Sequence, residues 1–347
     1  MPSRIATRPS RTSPVPPSTR IAAACRSLKR SYTRARTIAA LALILPTLAH
    51  AAALKSGDFV MVTWQSTSLP GCCRVVSLDG TSLTMSQITS DGYIADAVDI
   101  AVTTRREILV TVPTTGVVRV DPTTGNQTIF ASLESLGGGA PAGILATGAQ
   151  IYLTIQNTQP RIVQLDEDGS VARVVSSGGL LAYPAGLALG PDGALYVCET
   201  IPIGYLPGGS LIRVDPVSGT QTLIASGDPI HGPLDAAFAP DGSLWSVQWG
   251  GLLHEKGGWM VRTRISDGFS ERVDFGFDFV RGLAIRPDGR TVIADCAPAH
   301  SSCDLPYAQI YPDGPRVWSV SGPVALVPDM ATPATRTSWG RIKVIYR

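Results

Sequence analysis

From residue 57 to residue 327 the chain is written in short apolar runs, rich in β-branched residues and bounded by tight turns. In the best-formed stretch the runs are ALYVCET, then GSLIRVDP, then TQTLIAS, which predicts consecutive strands of an antiparallel meander. The same turns recur at fixed spacing. Pro-Asp-Gly stands at Pro191-Asp192-Gly193, Pro240-Asp241-Gly242 and Pro287-Asp288-Gly289, each after an apolar run (GLALG, DAAFA, GLAIR), with intervals of 49 and 47 residues. A second turn, Asp-Pro-x-x-Gly, occurs at Asp121 to Gly125 and at Asp215 to Gly219, 94 residues apart, or two periods. Proline presets the second turn position and glycine supplies positive φ.

Aligned on the first apolar run, the repeats start near Asp99, Gly143, Gly186, Asp235, Gly282 and Ala325. Six starts with about four strands per 40 to 50 residues predict an all-β fold, a six-bladed β-propeller of four-stranded antiparallel blades. The first blade is split. GDFVMVTWQ, CRVVSLDG and SLTMSQIT, within residues 57 to 88, match strands two, three and four, and the missing first strand is expected from Pro323 to Val327 at the other end of the chain. That C-terminal inner strand would close the ring and remove the edges an open ring exposes.

Repeats of the form P-x-G-I/L-A-x-x-P-D-G-x-L-Y-V-x-D, followed by G-x-I-x-R-V-D-P-x-T-G-x-x-T, resemble the NHL-type propellers of secreted bacterial proteins. These are kin to the SMP-30/gluconolactonase and streptogramin lyase propellers. The resemblance spans roughly residues 55 to 327. It implies the fold rather than an activity, since this fold hosts enzymes, binders and scaffolds alike.

Composition agrees with a buried core and many turns: 35 Gly and 27 Pro beside 44% hydrophobic residues. The formal net charge of +2 is carried by the N-terminus, where residues 1 to 51 hold nine basic residues and no acid. The remainder has 20 basic and 27 acidic residues, a net of −7 and no basic stripe, which argues against nucleic acid as a partner. The basic stretch runs into an apolar segment, Thr37 to Leu48, and then Ala49-His50-Ala51. This is the pattern of an export signal with an A-x-A cleavage site, too short in its apolar part to span a membrane. The expected division is 1–51 signal sequence with basic leader, 52–327 propeller and 328–347 tail. A secreted or periplasmic location and a monomer are expected, and the unusual length of the leader leaves the true start codon open between Met1 and a downstream position. The tail reads as a strap on the disc or a docking signal.

Export permits disulfides. Five cysteines follow the cleavage site, Cys72, Cys73, Cys198, Cys296 and Cys303. Cys296 and Cys303 are close enough in one loop for a local bridge, Cys198 is expected as a buried thiol, and Cys72-Cys73 stays open.

There is no G-x-S-x-G elbow, no phosphate-binding Gly loop and no C-x-x-C pair. His254-Glu255 begins a zinc motif that lacks its second histidine. Topology is more useful. The Pro-Asp-Gly and Asp-Pro turns lie on one face of the disc, and the loops between strands two and three open on the other. Those loops are long in blades four to six (IPIGYLPGG, WGGLLHEKGGW, CAPAHSSCDLPY) and bring Tyr205, Trp249, His254, Trp259 and His300. His231 joins them from the connection before blade five, and Arg281 lies on the inner strand of blade six. Beneath the loops, strand two ends in Glu199, Gln248 and Asp295 in successive blades. Asp99 and Asp235 replace the glycine of P-x-G on inner strands three blades apart, hence across the tunnel.

Three functions are weighed. The leading one is a secreted propeller binding a small molecule or extracellular polymer segment at the mouth of blades four to six, with Tyr205, Trp249, Trp259, His300, Asp235 and Arg281 in contact. The second is a hydrolase or lyase with His231 or His254 as base and Glu199 or Asp295 as partner. For it the resemblance implies a divalent metal such as Ca or Mg; Asp99 and Asp235 are the candidate ligands, without the two Asn that a gluconolactonase-like site has. The third is a protein–protein interaction module anchored by Trp249 and Trp259.

Overall fold

The computed structural model describes residues 53–64, 73–82, 84–156, 159–200, 208–248, 258–274, 280–295, 307–309, 317–319 and 324–328. The chain runs through β1 (Phe59–Trp64), β2 (Cys73–Leu78) and β3 (Met85–Ser90). Repeat two follows as β4 (Asp99–Val102), β5 (Ile108–Val112), β6 (Gly116–Val120) and β7 (Gln127–Ser132). Repeat three is β8 (Ala140–Thr147), β9 (Gln150–Gln156), β10 (Arg161–Leu165) and β11 (Val171–Ser177). Repeat four is β12 (Pro184–Leu189), β13 (Leu195–Glu199), β14 (Ser210–Val214) and β15 (Gln221–Ser226), and repeat five is β16 (Pro233–Phe238), β17 (Leu244–Gln248), β18 (Trp259–Thr263) and β19 (Ser270–Val273). Then come β20 (Val280–Ile285), β21 (Thr291–Asp295), β22 (Tyr307–Gln309), β23 (Val317–Ser319) and β24 (Val324–Leu326).

Repeats two to five each form one four-stranded antiparallel meander, and a fifth four-stranded sheet has the order β24-β1-β2-β3. The fold is an all-β propeller with four-stranded antiparallel blades. Five blades are complete among the described residues, one fewer than the sequence predicts; β20-β21 and β22-β23 are two-stranded sheets. The expected joining of the two ends is present: Phe59, Val60 and Met61 pair with Leu326, Ala325 and Val324. Backbone bonds from Gly57 to Val327 and from Val327 to Asp58 extend this pairing. The first strands neighbour one another in a closed circuit, β24, β4, β8, β12, β16, β20 and back to β24.

The core lies between blades rather than within them. Each strand carries alternate residues to both faces of its sheet, and both faces are covered by neighbouring sheets, so strands such as Ile108–Val112 are buried throughout. Val60, Val62 and Val75 of the first blade pack on Ile100, Ile108 and Val110 of the second. Polar side chains fix the spacing. The hydroxyl of Thr111 on β5 donates to the Ala142 carbonyl of the next blade at 2.6 Å, and that of Thr154 on β9 repeats the contact to Ala185 at 2.7 Å. On the outer side Gln221 donates to Ser176 Oγ and the Gly178 carbonyl and accepts the Leu180 amide, clamping the preceding blade. Gln127 does the same one period pair earlier, at Thr89, Asp91 and Tyr93.

The glycines ending the Asp-Pro-x-x-Gly turns have a second reason to be glycine. Gly125 and Gly219 have φ of +72°, and a Cβ on either would lie 2.4 Å from the carbonyl oxygen of Ile88 or Val175, on the fourth strand of the blade before. Each turn thus touches its neighbour's backbone directly.

Candidate functional site

Asp99 and Asp235 occupy corresponding places on β4 and β16, the first strands of blades three apart. One oxygen of Asp99 accepts the Ile100 amide and the other the Ile144 amide on β8, both at 2.8 Å. Asp235 repeats this with the amides of Ala236 (2.8 Å) and, on β20, Leu283 (2.9 Å). Each carboxylate therefore ties its own blade to the next. The ring has no room for side chains at the glycines of the same register. A Cβ on Gly143 would come within 2.2 Å of the Ala185 carbonyl oxygen, and one on Gly186 within 2.6 Å of that of Leu234.

Both aspartates are half-buried, with protein packed closely around each carboxylate. Removal from bulk water disfavours their charge. Burial raises Asp99 well above the usual carboxylate range and Asp235 beside it raises it further; the two amide hydrogen bonds oppose the shift. Burial also pushes Asp235 up to about 7, against its own two amide bonds.

A cavity of about 170 Å³ lies between them, lined also by Arg281, Gln156, Gly143 and Gly186. Its walls are the starts of the first strands and the ends of the second strands, the side of the disc on which the strand two-to-three loops lie. Sequence reasoning named Asp99, Asp235 and Arg281, and the fold brings all three to this one cavity. It missed Gln156, whose side chain donates to the Pro184 carbonyl at 3.0 Å; the signal was its place one residue past the strand-end position of Glu199 and Gln248. A larger groove of about 640 Å³ runs along the outside of repeat three, but its one charged side chain, Arg161, is spent on the carbonyls of Leu136, Gly138 and Gln159.

The other predicted residues are placed differently from one another. Glu199 is fully buried at the end of β13 and holds the amides of Ala182 and Tyr183 in the connection entering its own blade. Gln248 has the same position and the same task, accepting the His231 amide at 3.0 Å while donating to Ser246. The His231 imidazole is paired through Nε2 with Asp228 at 3.0 Å and lies edge-on to Trp259 at 5.7 Å. Trp259 is a core residue of β18, not a loop residue: its indole N–H donates to the Pro229 carbonyl, and Arg272 covers the ring at 4.5 Å. Asp295 ends β21. Tyr205, Trp249, His254, His300, Cys72, Cys296 and Cys303 lie outside the described residues. Cys73 and Cys198 are free, buried thiols, as expected for Cys198.

A divalent metal fits this donor set poorly. All four carboxylate oxygens accept backbone N–H groups, Arg281 brings a positive charge to the same cavity, and no group of three or more metal-ligating side chains exists among the described residues. No described helix is long and apolar enough to cross a membrane.

No family model matches the chain, and no curated protein does. In three dimensions it is similar to a protein of unknown function from Bacteroides caccae, at 12% identity over 79% of this chain and 100% of that one, TM-score 0.55. It is also similar to TolB from Acinetobacter baumannii, at 16% identity over 79% and 67% of the two chains, TM-score 0.50. Virginiamycin B lyase from Staphylococcus aureus matches at 18% identity over 65% and 76%, TM-score 0.45. At these identities the likeness is one of fold.

Proposed function

We propose that the chain is an exported six-bladed propeller that binds a small molecule, or one segment of an extracellular polymer, in its tunnel mouth. The observation that carries this is the cavity holding Asp99, Asp235 and Arg281 on the side of the long loops. A concave site with a few convergent charged groups among otherwise neutral walls is the usual form of a small-molecule site. Acids and a guanidinium in one small space favour a polar ligand over an apolar one. The sixth blade, completed by β20 to β23, is supported by the closed circuit of six first strands. Export is supported by the basic leader and Ala49-His50-Ala51, with cleavage after Ala51 as the outcome expected from N-terminal sequencing of secreted protein.

The test is a thermal-shift screen of the mature chain against amines, amino acids and oligosaccharides. A stabilising ligand should lose its effect in Arg281→Ala and in the His254→Ala, His300→Ala double variant, and keep it in Asp192→Asn on the opposite face. A ligand that ignores Arg281→Ala, or depends on Asp192, overturns this placement.

A hydrolase or lyase is the second reading, favoured by the contact between His231 and Asp228 at 3.0 Å beside the mouth. A carboxylate that holds an imidazole in one orientation suits a general base. In that reading His231→Ala abolishes turnover while ligand binding persists. The interaction-module reading loses Trp259 as an anchor, because that ring is already packed.

A further inference from the structure

The acid pair is held in a way that couples its charge to the ring itself. Asp99 joins β4 to β8 and Asp235 joins β16 to β20, through equivalent amide contacts, while both line one cavity. Few charged or titratable residues stand at this end of the neighbouring elements among the described residues. Arg281 on β20 lines the cavity, Cys198 and Glu199 lie on β13, and Asp96 precedes β4. Asp295 ends β21 beside β20, and His231 precedes β16 with its ring turned to Asp228. The strands β5, β8, β12, β17 and β24 contribute none, and the one on β9, Tyr152, turns its hydroxyl to Gln150 at the far end of that strand. One cation therefore shares the cavity with two acids.

We propose that Asp99 and Asp235 act as a proton-operated latch across the tunnel: the propeller is held most tightly while the pair keeps a proton, and is loosened when both carboxylates carry charge. A single proton on the pair removes the repulsion between two acids that water cannot screen well, and leaves most of the amide contacts in place. When that proton leaves to solvent, the two tied seams on opposite sides of the ring carry like charges toward each other.

The sign of the effect follows from burial. Both carboxyls lie higher in the folded chain than the ordinary aspartate value. Their contribution is fully present below about pH 4, where the unfolded chain is also protonated. It is lost as pH rises through the folded values, about 7 for Asp235. In that interval each proton held only by the folded chain makes the folding constant fall by about tenfold per pH unit. Turn aspartates such as Asp79, Asp121 and Asp215, lowered by backbone amides, act in the opposite sense, so the pair is isolated by subtraction.

The experiment is urea unfolding of the full chain between about pH 4 and about pH 8, for wild type and the Asp99→Asn, Asp235→Asn double variant, with carboxyl-carbon NMR titration of wild type and each single variant. Subtracting the double variant should leave a folding constant that falls toward neutral pH by about tenfold per unit over at least one unit. Asp99 should titrate lower in Asp235→Asn than in wild type, a shift that a purely structural hydrogen bond would not give. A flat difference curve, or both carboxyls titrating near the ordinary value, overturns the latch. If the Asn variants do not fold, wild-type titration decides alone: a proton kept above about pH 5 upholds it, and loss of both near pH 4 overturns it.

Discussion

The guanidinium of Arg286 donates to the carbonyl oxygen of Gly57 at 3.0 Å, joining positions 229 apart in the chain. The same nitrogen reaches the Gly80 carbonyl, also at 3.0 Å, where Arg290 adds a third bond. Two arginines flanking the Pro287-Asp288-Gly289 turn thus grip two turns of the first blade, at the seam where the chain's beginning and end meet.

Because Arg286 is only slightly exposed, its loss strands the Gly57 carbonyl at that seam and leaves the Gly80 carbonyl to Arg290 alone. Arg286→Ala should lower stability by about 1–3 kcal/mol, and Arg286→Lys by less, since an ammonium keeps the charge but not the forked reach. The urea midpoint at constant slope measures both.

Removing residues 321 to 347 takes away β24 and leaves Phe59, Val60 and Met61, still paired with β2 on one side, without a partner on their inner edge. The truncated chain should unfold or aggregate, because an apolar inner edge pairs with whatever strand it meets. A monomeric elution profile with wild-type stability would show that the first blade does not need its innermost strand.

Gly186→Ala should cost about 1–3 kcal/mol, read as a lowered Tm. The cause is contact and not conformation: a Cβ there meets the Leu234 carbonyl at 2.6 Å and Asp235 Oδ1 at 2.8 Å, with no positive φ. Ala325 holds the same register in the first blade, so the residue type itself is tolerated by the strand.

Native alkylation at about pH 8 should leave Cys73 and Cys198 unlabelled, and denaturant should expose both. Burial raises the Cys73 thiol to about 12, helped by Asp96, and its S–H donates to the Ala95 carbonyl at 2.8 Å. Cys198, fully buried, lies well above its usual value for the same reason. Peptide mapping that finds native Cys73 modified would contradict this.

The meander, the turn positions and the joining of the termini were legible because each depends on local chemistry repeated at a fixed period. Asp99 and Asp235 were legible for the same reason, standing out where the repeat has glycine. Partners were not legible. Glu199 and Gln248 stood beneath long loops and so read as chemistry, yet they hold the backbone amides of Ala182, Tyr183 and His231. Trp259 was read as a loop anchor because it borders a loop in sequence; one residue of strand register turns its ring into the core, where Pro229 satisfies its N–H. Sequence locates a side chain along the chain, while its hydrogen-bond partner is decided by the neighbouring blade.

The pairing of β24 with β1 also sets a timetable. The ribosome makes β1, β2 and β3 first and β24 last, so the sheet begun earliest is the one completed latest. At about 5–20 residues per second, the inner edge of β1 waits roughly ten to fifty seconds for its partner. Throughout that wait every other blade can form from contiguous chain, but the first remains an open-sided sheet. Survival of the newborn protein therefore depends on how that single edge is shielded during synthesis and transit.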